Sequence, residues 1–317
     1  MIVAERLSLL LAELLREDPR RVLVGEDVRD GGMVGLSRAA LVEPALAARL
    51  VATPLIPSAQ VAHAAGLAMA GRRPILIVAS ATALLDGYVA LRELARLRGC
   101  AGGERSGAVV ILAPVGPGFG LGGDGAESPE AVIAALVGLR VLCVGDADEA
   151  AAYVRGAASF DAGEGPTVVL LPRSLLLAEC AEDRALGRPL GAARVVREGA
   201  EATVFAWGGA LAPALAAIEA SGREVALVDV GGLAPIDEAA VIAAAGRSGK
   251  VVIAHPGGAG PLAAEIAAMV ADQAILHLDA PVLRVSGREG PLTYPDEAAA
   301  LPSVESIAAA IARVILY

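Results

Sequence analysis

The chain has 317 residues, with 26 Lys and Arg against 36 Asp and Glu, a formal net charge of -10 and a pI near 4.9. Such an acidic balance offers no general attraction to nucleic-acid phosphates or anionic membrane surfaces, so neither is expected as a partner. The length suffices for two domains with full cores, and 56% hydrophobic residues with only 3% aromatics implies close packing through small side chains and more apolar surface than a monomer readily exposes.

The opening run is an amphipathic helix. Leu7, Leu10, Leu11, Leu14 and Leu15 fall on one face, while Glu5, Arg6, Glu13, Arg16 and Glu17 lie largely off it. Glu13 interrupts the apolar run and no small-residue cleavage site follows, so neither an export signal nor a membrane span is expected there, and a soluble cytoplasmic protein is. The cysteines Cys100, Cys143 and Cys180 are widely spaced and lack a C-x-x-C pair, which fits a reducing compartment without a structural zinc site.

Strands and helices then alternate. Arg21 to Val24 reads as a short buried strand ending in Gly25-Glu26-Asp27-Val28, and a glycine-bearing turn follows at Asp30-Gly31-Gly32. An extended Thr53-Pro54-Leu55 leads into a helix of small residues, Ser58 to Ala70, with Pro57 suited to its first turn. Strand Pro74 to Ala79, helix Leu84 to Arg98 and strand Ala108 to Ala113 come next, each bounded by Gly or Pro. This alternation implies a parallel sheet with crossover helices. Glu26 and Asp27 follow a strand's C-terminal end, where open sheets place their ligand sites, though capping the turn would explain them equally.

The glycine-rich loop from Pro114 to Gly125 contains G-x-G-x-x-G at Gly118, Gly120 and Gly123, with Asp146 about 20 residues on, the usual spacing of a dinucleotide fingerprint. Pro114 and Pro117 lie between the strand and the first glycine, so the tight turn onto a pyrophosphate is missing, and a flexible surface loop is the better expectation. A helix is expected from Ser128, with Glu127 favourably placed at its start, and another over Ala147 to Ala158 before strand Thr167 to Leu171. Residues 175–190 lack periodicity and read as a linker between a domain at 1–174 and a second at 191–317. The second domain alternates again: strand Ala202 to Trp207, helix Leu211 to Ala220, strand Glu224 to Val228, strand Lys250 to Ala254 ending at His255, and helix Pro261 to Ala271.

The stretch Thr53-Pro54-Leu55-Ile56-Pro57-Ser58 resembles the Thr-Pro-Leu-x-Glu-Ser helix start of thiamin-diphosphate enzymes of the transketolase and 2-oxo-acid dehydrogenase group, E1 beta subunits in particular. Val24-Gly25-Glu26-Asp27-Val28, Ser128-Pro129-Glu130, Gly138-Leu139-Arg140-Val141, the run Asp229 to Asp237, Leu278-Asp279-Ala280-Pro281-Val282 and Leu301-Pro302-Ser303-Val304-Glu305 extend the likeness over nearly the whole chain. The resemblance implies an α/β protein of two doubly wound domains, a pyrimidine-binding domain followed by a transketolase C-terminal domain. It implies 2-oxo-acid decarboxylation or acyl or ketol transfer, with thiamin diphosphate and Mg2+ held mainly by an alpha-type partner chain. The expected assembly is a heterotetramer about a beta-beta dimer, with an acyltransferase core as a further partner.

The same resemblance exposes replacements. The family's Glu, which shares a proton with the aminopyrimidine N1', is Pro57; its two site His positions are Gly125 and Ala135; its stacking aromatics fall in the run Val78 to Ala83; and the Arg after its Asp-Leu pair is Gly231. No catalytic residue is therefore assigned, and a noncatalytic structural or regulatory paralogue is the competing expectation. Glu26, Ile56, Pro57 and Ser80 are the positions implied to border the cofactor, and Val109, Ala157, Ala158 and Asp161 those implied to hold a monovalent cation such as K+, with a solvated loop as the plainer reading of the latter. Gly123-Asp124-Gly125 imitates the family's diphosphate motif, but that motif needs an Asn and the chain has none. His255 is expected to be structural, His63 to face a core or interface, and His277 to be exposed.

Overall fold

The computed structural model describes residues 1–100, 109–160, 165–258, 260–288, 290 and 292–317. They divide into two compact units, one of residues 1–115 and 132–190, the other of 116–131 and 191–317. The glycine-rich loop and the start of the Ser-Pro-Glu segment thus group with the second unit, although in sequence they lie inside the first.

In the first unit the strands are β1 (Arg21–Gly25), β2 (Leu50–Ala52), β3 (Arg73–Ile77), β4 (Val110–Val115), β5 (Arg140–Cys143) and β6 (Thr167–Pro172), in the spatial order β5-β6-β4-β3-β1-β2. Every pairing in that series is parallel. The sequence dictates this: strands such as Arg-Val-Leu-Val-Gly and Val-Ile-Leu-Ala-Pro-Val are buried along their whole length, as strands covered on both faces must be. Helix Val3–Glu17 buries the five leucines of its predicted face. Helix Pro57–Met69 starts with Pro at its first turn and buries Gln60, Val61, Ala64 and Ala68. Its neighbour Gly87 is required by close approach, because a Cβ there would lie 3.1 Å from the Pro57 carbonyl carbon.

The stretch 175–190, expected as a linker, is tied onto the first unit. Val3 N–H donates to the Ala178 carbonyl at 3.0 Å, Arg184 bridges to Asp146 and Asp148 at 2.9 and 3.1 Å, and Arg188 makes a two-pronged pair with buried Glu149 at 2.9 and 2.7 Å. Absence of periodicity signalled an irregular backbone, and the charges that looked like solvated linker residues are what anchor it.

In the second unit the strands are β7 (Arg194–Arg197), β8 (Ala202–Ala206), β9 (Val225–Asp229), the short β10 (Gly232–Ala234), β11 (Val251–His255) and β12 (Leu283–Ser286), with a sheet ordered β12-β11-β8-β9-β7. β7 runs antiparallel at the edge, with a register irregularity between Val195 and Arg197, so this sheet is mixed. Its Arg-Val-Val-Arg sequence suits a half-exposed edge and gives too short a pattern to read in advance. Tyr294–Ile315 is apolar and long enough in composition to cross a membrane. It is broken, however, into a 3-10 segment to Ala300 and a helix from Val304 capped by the Ser303 side chain, and Ile307, Ile311 and Val314 pack into the core with Leu227 and Val252.

Candidate functional site

The C-terminal ends of β1, β2 and β3, which are adjacent, carry the positions that the resemblance implies to border the cofactor. Glu26 follows β1, Thr53 to Pro57 follow β2, and Ser80 follows β3, so the topology brings together at one sheet end what the sequence keeps apart. The Thr53 N–H donates to the Gly25 carbonyl at 2.9 Å, and buried Gln60 donates to the Thr53 hydroxyl and the Pro54 carbonyl at 3.3 and 3.2 Å. These bonds fix the entry to the helix independently of what side chain stands at 57. Leu55 and Ile56 are 64% and 51% exposed, and Pro57 is half-buried. The Ser80 hydroxyl accepts from the Ala83 N–H at 3.0 Å, which occupies it as a cap.

Glu26 carries a buried acceptor at this end: its Oε2 has no hydrogen-bond partner among the described residues. Burial first, and then the neighbouring Asp27, push its carboxyl above the ordinary value. It can therefore take a proton more readily than a surface glutamate.

The second unit brings a different group together. The Glu130 side chain, 4% exposed, accepts from the Trp207 indole Nε1–H at 3.1 Å, and its other oxygen is buried and unpartnered among the described residues. Burial pushes this carboxyl up to about 7 against the opposing pull of its own backbone N–H and the indole. Trp207 in turn stacks on His255, with ring centroids 5.7 Å apart and planes within 12°. His255 is buried at the end of β11, and its Nδ1 lies 3.0 Å from the Pro256 carbonyl, which can only accept, so Nδ1 carries the proton. Burial lowers its pKa and keeps the ring neutral near pH 7. This histidine is packed and hydrogen-bonded at the strand end. His277 is exposed, as expected, but His63 is exposed rather than buried in the chain's core: it lies off the face formed by Gln60, Val61, Ala64 and Ala68.

Glu297 resolves the glycine-rich loop. Its carboxylate accepts from the N–H groups of Gly118, Phe119 (3.1 Å) and Gly122 (3.2 Å). Burial raises this acid, yet the N–H groups of Gly118, Gly122, Gly120 and Phe119 outweigh it and leave the carboxyl below its ordinary range. The donors a pyrophosphate would need are engaged by the chain's own carboxylate, so the loop is a pinned structural turn, neither a dinucleotide cradle nor a free surface loop. Nothing in Tyr294-Pro295-Asp296-Glu297 announces this partner in the sequence.

Gly125, at one family His position, has closed over: a Cβ there would lie 2.3 Å from the Leu121 Cβ. Ala135, at the other, is exposed. Of the cation positions, Asp161 lies outside the described residues. Val109 leads into β4, and Ala157 and Ala158 close helix Ala150–Ser159. Val109 belongs to the N-terminal edge of the sheet, opposite to the cofactor-side positions. Among the described residues no group of three or more His, Cys, Asp or Glu is placed to hold a metal ion.

Two family profiles match the chain: the transketolase pyrimidine-binding domain over residues 3–178 and the transketolase C-terminal domain over 191–307. The beta subunit of the pyruvate dehydrogenase E1 component of Leifsonia xyli is 33% identical over 97% of this chain and 92% of its own length. The beta subunit of 2-oxoisovalerate dehydrogenase of Bacillus subtilis is 30% identical over 92% and 90%. A solved split-gene transketolase, described as an inactive beta4 tetramer, superposes with a TM-score of 0.76 at 22% identity over 100% of this chain and 98% of that one, a likeness of fold. The chain belongs to the transketolase family, as an E1-beta-like member made of its pyrimidine-binding and C-terminal domains.

Proposed function

We propose that this chain is the beta-type subunit of a cytoplasmic heteromer, in which it lends the pyrimidine side of a thiamin-diphosphate site to an alpha-type partner that holds the diphosphate and Mg2+. The reaction class is 2-oxo-acid decarboxylation or acyl or ketol transfer. The observation that carries this reading is the helix start Thr53 to Ser58, held by Gln60 and approached closely by Gly87, with apolar Leu55 and Ile56 exposed beside it. Exposed apolar side chains of this size fit burial against a partner chain or the face of an aromatic ring.

Thiamin diphosphate, when bound, supplies an electron sink for the bond to the 2-oxo carbon. The residues at this sheet end suit the ring's flat faces, but they do not suit its N1' atom, since Pro57 has no proton to exchange where the family has a carboxylate. What this chain can do is bind and orient the ring through Ile56 and Pro57 and exclude water from it. With general acid-base help missing at 57, turnover would fall about 10²- to 10⁴-fold below that of a carboxylate-bearing relative. A purely structural or regulatory subunit is the second reading, and the closed position at Gly125 favours it.

The test is calorimetric titration of thiamin diphosphate with Mg2+ into the chain alone and into its co-expressed complex with an alpha-type partner. Binding in the complex only is expected. Pro57→Glu should leave folding intact and raise cofactor affinity there. A stable complex with no heat of binding, and none gained in the variant, would refute the shared site and establish the structural subunit.

A further inference from the structure

The end of helix Ala150–Ser159 is a place where a cation is electrostatically wanted. The last carbonyls of a helix have no intrahelical partner and sit at the negative end of its dipole. Here they are met by arginine. Arg21 and Arg73 are direct neighbours across the first residues of parallel strands β1 and β3. Arg21 Nη2 donates to the Ala158 carbonyl at 3.2 Å, and Arg73 Nη2 donates to the same carbonyl at 3.1 Å and to that of Phe160 at 2.7 Å. A third guanidinium, Arg140, lies over the Phe160 ring at 4.1 Å from its centre and holds that residue in place.

The remaining described carbonyls at the implied cation positions each accept one backbone N–H. The Val109 carbonyl accepts the Thr167 N–H at 3.0 Å, and that of Ala157 accepts the Phe160 N–H at 3.4 Å. A carbonyl oxygen has two lone pairs, and both of those on Ala158 are taken by charged donors. An alkali cation on that oxygen would have to displace them and then remain beside two fixed positive charges. Asp18 and Glu17 balance those charges from the other side: Asp18 lies 3.6 Å from Arg73, and Glu17 3.1 Å from Arg21. The implied K+ does not fit the described residues.

We propose that the guanidinium of Arg73, seconded by Arg21, is the resident cation of this carbonyl cluster, and that the described carbonyls take no potassium. The cation is then a permanent part of the fold, and stability does not follow the potassium level of the medium. The inference concerns the edge of the sheet opposite to the proposed cofactor positions and stands whether or not thiamin diphosphate binds.

The experiment is thermal unfolding of the full chain in KCl, NaCl and choline chloride at equal ionic strength. An occupied potassium site, at about 100-fold excess over its dissociation constant, would raise the midpoint on the order of 5–10 °C in KCl over choline chloride. The expected result is the same midpoint in all three salts. Arg73→Met removes the guanidinium but keeps much of its stem, and its lowered midpoint should recover in part with potassium and not with choline. A potassium-specific rise in the unsubstituted chain overturns the proposal. So does an Arg73→Met chain that folds, is destabilised, and gains nothing from potassium, since the guanidinium would then not occupy a cation's place. Should the variant not fold, the unsubstituted chain alone decides.

Discussion

Glu130→Gln is the substitution whose consequence can be worked furthest from the structure. In the folded chain the Glu130 carboxyl, ordinarily at 4.5, is held at about 7 by burial. Between those values the folded state keeps a proton that the unfolded chain has released, so stability falls as pH rises from about 4.5 and levels off above about 7. At ~1.4 kcal/mol per pH unit, that interval is worth about 3 kcal/mol, an upper bound for a carboxyl with one indole hydrogen bond already in place. Gln keeps the shape and the acceptor for the Trp207 N–H but cannot ionise. The variant should match the unsubstituted chain below about pH 4 and exceed it by up to about 3 kcal/mol near pH 8. His255 acts in the opposite sense. Its depressed pKa means the unfolded chain binds the extra proton, so its contribution is present above about 6.5 and is lost as pH falls through that value towards the folded one. The two trends partly cancel in the native chain, which is why the difference between variant and parent is the quantity to read. The assay is denaturant unfolding followed by tryptophan fluorescence, because Trp207 is the single tryptophan and touches both groups. Parallel stability profiles from pH 5 to 8 would refute a buried, proton-retaining Glu130.

Two further substitutions probe the backbone. Glu297→Gln removes the charge from the bonds to the Gly118, Phe119 and Gly122 N–H groups and should cost about 1–2 kcal/mol. It should also speed proteolytic cleavage within 116–125; an unchanged cleavage rate would mean that the loop is held by something else. Gly138→Ala should cost at least ~2 kcal/mol in a thermal melt, because Gly138 has a φ of 94° and a Cβ there would meet the Ala95 carbonyl oxygen at 2.7 Å. An unaltered midpoint would show that the turn before β5 yields easily.

Most of the first unit was legible because its signals are collective. Five leucines at helical spacing, or the three consecutive apolar residues Val22, Leu23 and Val24 between an arginine pair and a glycine, leave few alternatives, and burial of these elements agrees with the expectation. The polar anchors were not legible. Glu297 reaches a loop 179 residues earlier to meet Gly118, and Arg73 reaches the carbonyls of Ala158 and Phe160, 85 and 87 residues later. Backbone N–H and C=O groups have no side-chain letter, so a site made of them leaves no trace beyond the glycines that permit the turn. Glu130 shows a third situation: the Ser-Pro-Glu start was visible, but nothing in the sequence marks its carboxylate as the one that Trp207 covers. The core half of the expectation for His63 was lost for the converse reason, since small residues on both sides of a helix leave its buried face undetermined.

The replaced positions are not equivalent, and the difference bears on how the chemistry could have been given up. At Pro57 the surrounding bonds do not involve the side chain, and the residue is half-exposed, so a carboxylate could be restored without moving the backbone. At Gly125 the space has been filled: Leu121 lies within 2.3 Å of where a Cβ would go, and the loop that carries both is pinned by Glu297 at Gly118, Phe119 and Gly122. A histidine there would require Leu121 to move first, against the hydrogen bonds that fix the loop. A carboxylate at 57 is therefore open to one substitution, whereas a histidine at 125 calls for repacking within the second unit.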